Sequence, residues 1–106
     1  MSLSSIGQSG MRAAQRQLDT TAHNLANAST PGFQRQTVVT SAQAGLGGVT
    51  TQVRQQAPAG EPSGLNAEHL AEDSVAQRMA VYHFAANLRT VETEDRVLGA
   101  LLDVRA

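Results

Sequence analysis

No cysteine occurs in the 106 residues. Its absence excludes disulfides, thiolate nucleophiles and zinc–thiolate centres. There is no tryptophan and only 3% of the chain is aromatic, so a thick globular core has few large rings to fill it. Lysine is missing too: all eight basic residues are arginine, and the net charge is −1. A balance this close to neutral gives no long-range attraction to nucleic acid or an anionic membrane. No apolar run approaches the eighteen residues of a membrane span, and MSLSSIGQSGMRAAQ lacks the charged start and apolar centre of a secretory signal.

What is present is mostly Leu, Val and Ala, at helical spacing. Residues 4 to 28 read as a helix with Met11, Leu18 and Leu25 seven apart. Ala14, Thr21 and Ala28 take the intervening positions, and the stripe is narrow, as in a seam with a partner helix. Gly7 and Gly10 weaken the first turns and predict fraying there. The helix has to stop before Pro31, because the proline ring drives Thr30 out of helical geometry and Pro31-Gly32 is a turn signal. Asn27 and Ser29 stand ready to bond the last free carbonyls.

Residues 34 to 66 change character. QRQTVVTSAQ and GGVTTQVRQQ are Thr/Val-rich and partly alternating, which predicts a β-hairpin closed by the glycines at 45, 47 and 48. APAGEPSG, residues 57 to 64, reads as a linker. Asn66 is a suitable N-cap for a helix running to the end. In that helix Val81, Phe84, Leu88, Val91, Leu98 and Leu102 step by three and four, interrupted by Asp95. A helix over 66–103 would be about 57 Å long and cannot bury its stripe alone. The expected fold is mainly α. Two long terminal helices pair as an antiparallel coiled-coil hairpin, with a short β-hairpin inserted between them. The units are 1–33, 34–65 and 66–106. Acids outnumber arginines seven to four over residues 66–106, while the first helix holds Arg12 and Arg16 against Asp19, a bias that sets register more than affinity.

The search for chemistry returns nothing. His69, Glu72 and Asp73 share a helix face without a fourth ligand. His23 reads as a packed histidine and His83 as a surface one. The serines have no neighbouring His/Asp arrangement, and the GLGG glycines do not open a helix as a phosphate loop does. No catalytic, cofactor or metal residue is expected.

The ends carry a resemblance. In GMRAAQRQLDTTAHNLANASTPGFQRQ, residues 10 to 36, a Leu- and Ala-rich helix ends in Asn-x-x-Asn, then Ala, then Thr-x-Gly-Phe and a basic residue. This resembles the N-terminal segment of the bacterial flagellar rod and hook protein family, matched at Asn24, Leu25, Ala26, Asn27, Ala28, Thr30, Gly32, Phe33 and Arg35. His23 stands where members often carry a further asparagine. FAANLRTVETEDRVLGALLDV, residues 84 to 104, is similar to that family's C-terminal helix through Phe84, Asn87, Thr93, Asp95, Leu98, Leu101 and Leu102. The middle departs: larger members hold a sizeable β domain there, and this chain has some thirty residues, as a short proximal-rod-like member would.

The resemblance implies a structural, non-enzymatic subunit of the basal-body rod. It would be exported from the cytoplasm without a cleaved signal and assemble through its terminal helices into a helical tube for motility. Its partners would be copies of itself, other rod and axial subunits and the flagellar export apparatus, with no nucleic acid and no membrane insertion. The implied assembly interface is Met11, Leu18, Asn24, Leu25, Asn27, Pro31, Gly32 and Phe33 from the first end. From the second end it is Val81, Phe84, Asn87, Leu88, Val91, Leu98 and Leu102. Asn24 and Asn27 would fix register, and Pro31, Gly32 and Phe33 would turn the chain toward the next subunit. The competing reading is a coiled-coil adaptor or secretion-chaperone-like module that forms closed dimers.

Overall fold

The computed structural model describes residues 3–30, 33–45, 47–55 and 67–105. Helix α1 spans Leu3–Ala26, strand β1 Gln36–Ala42, strand β2 Val49–Gln55 and helix α2 Ala67–Arg105. The mainly helical fold with an inserted antiparallel hairpin is as expected. The Asn66 cap, the 57–64 linker, Pro31 and Gly32 fall outside the described residues.

α1 ends as the sequence requires. After the last full turn the chain tightens: the Ala28 N–H donates to Leu25 O at 3.3 Å, Thr30 N–H to Asn27 O at 3.0 Å and Phe33 N–H to Thr30 O at 3.2 Å. Asn27 donates its side-chain amide to His23 O at 2.9 Å, and the same carbonyl accepts the Asn27 N–H at 3.2 Å, so one residue bonds it twice at the helix end. The hairpin pairs Gln36 with Gln55 through to Ala42 with Val49. Gly45, Gly47 and Gly48 all take positive φ in its connection, where a β-carbon would be strained.

The layers are α2, α1 and hairpin in that order; among the described residues α2 touches α1 and neither strand. The molecule is elongated, 66 × 26 × 16 Å. Its core is thin. Among the described residues the buried apolar side chains are Ala14 and Ala80, joined by Thr20, Thr21, Asn24 and Asp73. Buried Thr21 spends its hydroxyl on Gln17 O at 2.7 Å and so packs like a small apolar group.

The helix seam differs from the expected one in depth. Gly7, Ala14 and Thr21, seven apart, form the buried line of α1, and Met11, Leu18 and Leu25 flank it half-buried. Small residues let the helix axes approach closely. The glycines thus have a packing role rather than only a weakening one. A β-carbon on Gly7 would lie 2.7 Å from Val91 Cγ2, and one on Gly10 would collide with the Asn87 amide.

Candidate assembly interface

The seam is antiparallel with a constant offset. Ser4 donates to Glu94, Gly7 faces Val91 and Gly10 faces Asn87, so facing residue numbers sum to 97 or 98. Leu18, Val81 and Phe84 line an open groove over Ala14 and Ala80. The same offset brings Leu3, the first described residue of α1, opposite about position 95. α2 therefore runs past α1 from residue 96 to Arg105, an overhang of about 15 Å. Leu98 and Leu102 continue the α1-facing side into this overhang. They are 51% and 68% exposed because no described part of α1 reaches them.

At the other end two polar devices hold the hairpin and the post-helix turn in place. Asn24 is buried and uses both ends of its amide on one residue. Its Nδ2 donates to Gln36 O at 2.8 Å, and its Oδ1 accepts from Gln36 N–H at 2.9 Å. This copies the bond pair of a neighbouring strand and closes the free edge where β1 begins. At the far end of the hairpin, Val49 N–H donates to Ser9 Oγ at 3.1 Å. The hairpin is thus tied to α1 at two points fifteen residues apart. Arg35, just before β1, forms a two-bond pair with Asp73 of α2, Nη1 to Oδ2 at 2.8 Å and Nη2 to Oδ1 at 3.0 Å. The pair is largely buried, with 21% and 7% of the two side chains exposed, and it joins the turn to the second helix. The His23 and Phe33 rings meet edge to face at 5.2 Å.

The residues expected at the interface therefore divide. Asn24 is buried within the chain and engaged with Gln36. Asn27 is half-buried and bonds within its own helix end. Val91 and Asn87 belong to the internal seam against Gly7 and Gly10. Leu98 and Leu102 lie free on the overhang, Val81 on the rim of the groove, and Phe84 and Leu88 are about two-fifths exposed. Asp73, grouped by sequence with His69 and Glu72, is half of an ion pair. Its partner stands 38 residues away, a distance no local pattern spans.

Residues 5–34 match the family model described as flagella basal body rod protein. The match supports the flagellar rod family for this chain. It covers α1 and the turn that follows, the part held by Asn24 and Asn27; α2 lies outside it. The family is structural and not an enzyme family, and the match supports a component of the basal-body rod. The chain matches no curated protein. Among the described residues, no helix is long and apolar enough to cross a membrane.

Proposed function

We propose that the chain is a rod subunit that self-assembles through its terminal helices, stacking on copies of itself and on other axial subunits. One observation carries this reading: the large apolar side chains are on the outside. Leu98, Leu101 and Leu102 stand on the overhang at 51–68% exposure, while the buried apolar positions among the described residues are two alanines. Burying an exposed leucine is worth about 1.5–3 kcal/mol, so the isolated chain leaves much of its apolar stabilisation unused. Stacking uses it. An overhang that fits the end of the next copy makes a head-to-tail contact, and such a contact repeats as an open helical filament. Leu98 and Leu102 are the residues that would be covered, with Leu18, Val81 and Phe84 offering a second contact along the groove.

The test is to tag the protein, purify basal bodies from cells that make it, and wash with detergent and high salt. Retention in the washed particle is the expected result. Protein left entirely in the soluble cytoplasmic fraction would overturn the reading and favour the adaptor. The companion variant is Leu98→Asp. The charge would be buried without a partner at the contact, so the variant should fold, be made at normal level and be absent from the particle.

A further inference from the structure

α2 has a second apolar face that α1 does not use. At about 100° per residue, Val75, Met79, Tyr82 and Ala86 lie roughly 140° around the helix from Ala80 and Val91. Four further residues, Thr93, Val97, Ala100 and Val104, continue the same face. Tyr82 is 70% exposed and Val104 85%. Seven charged residues lie between positions 75 and 104 and all stand off this face, with Arg89 on its border. The two-faced arrangement explains why α2, unlike α1, has no single polar side.

We propose that this outer face is where a second copy of the chain docks, helix against helix and antiparallel, as a two-fold dimer of the free protein. The pattern is its own complement under reversal about the midpoint between Arg89 and Thr90. Val75 then meets Val104 of the second copy, Met79 meets Ala100, Tyr82 meets Val97 and Ala86 meets Thr93, so in the three inner layers a larger side chain faces a smaller one. Antiparallel packing offsets the flanking positions by two residues. On one flank this sets Arg78 against Asp103 of the second copy, a pair that occurs twice by symmetry. Within the described chain the ion pair is Arg35–Asp73, so neither of these two is engaged in another. A parallel pairing would instead place Arg78 beside Arg78 and Asp103 beside Asp103. The face runs about 44 Å. Its exposed side chains offer on the order of 800 Å² per copy, the size of a standard stable interface. An isologous contact of this kind closes on itself and stops at two copies. It involves neither Leu98 nor Leu102 and stands whether or not the rod reading holds.

Sedimentation of the full chain over a concentration series tests it. The Leu98→Asp variant, which lacks the head-to-tail contact, is expected to reach twice the monomer mass at the upper end and go no further. Met79→Glu should give a monomer with unchanged helix content by circular dichroism. Arg78→Glu should weaken dimerisation roughly tenfold, and Arg78→Glu/Asp103→Arg should restore it. Because the chain has no cysteine of its own, Ala86→Cys and Thr93→Cys report orientation. Mixed and oxidised, the two variants should cross-link to each other far more than either does to itself. A Leu98→Asp chain monomeric throughout, a dimer that survives Met79→Glu, a failed charge-swap rescue, or efficient Ala86→Cys self-linking would each overturn the proposal.

Discussion

At the scale of the residue, the most consequential side chain is Asn24. Only a primary amide of this length offers a donor and an acceptor to the same backbone residue, and Gln36 uses both. Asn24→Ala would leave a partly buried N–H and C=O unpaired and should cost about 1–3 kcal/mol, read by urea unfolding. Asn24→Asp keeps the acceptor but sets a carboxylate oxygen against Gln36 O in a buried site, so it should cost at least as much as Asn24→Ala. Asp73 has a comparable role. Removing it strands the Arg35 guanidinium in a mostly buried setting; with a fifth of that side chain still in water, Asp73→Ala should cost roughly 1–3 kcal/mol, below the full penalty of a buried pair. The double change Arg35→Met/Asp73→Leu should recover most of it, which separates a stranded charge from a lost contact.

At the scale of the element, the two helices are unequal in kind. α1 is closely packed on two sides through small residues, whereas α2 is packed on one. Gly10→Leu drives a side chain into Asn87, and overpacking of this sort should lower stability by about 1–3 kcal/mol in thermal unfolding. Asn87 can relax, since its amide is the end of a flexible side chain, so the lower part of that range is expected. The same inequality sets the dynamics. In a dilute monomer, hydrogen exchange should be slowest where α1 and α2 face each other and fastest over the overhang from residue 96, which no other described element covers. Equal protection along all of α2 would contradict that picture.

At the scale of the whole molecule, the chain is a thin stack, three elements deep and 66 Å long. Its core of alanine and threonine cannot supply the burial that a compact domain of this length obtains. The missing burial is present in the sequence but held outside, on the overhang, the groove rim and the outer face of α2. A change on the overhang should therefore leave the monomer intact and act on assembly. Leu98→Asp should unfold at an unaltered urea midpoint while abolishing incorporation into the basal body. Loss of monomer stability in that variant would place Leu98 in an intramolecular contact instead.

Several features were legible without coordinates because they depend on neighbours in the chain. Both helices, the stop before Pro31 and the two strands follow from periodicity, the proline ring and Thr/Val alternation, and Asn-x-x-Asn with Thr-x-Gly-Phe carried the family resemblance. Tertiary structure alone decided what those residues touch. Asn24 finds Gln36 twelve positions away, Arg35 finds Asp73 thirty-eight away, and Gly7 meets Val91 across the seam. No repeat of three, four or seven residues encodes such pairs. The overhang is of the same kind: it is a difference between two helix lengths measured along a register, and the register is set by small residues that a hydrophobic pattern passes over. Local conformation depends on each residue and its near neighbours, whereas packing depends on which surfaces meet, and that is settled only when the chain has folded back on itself.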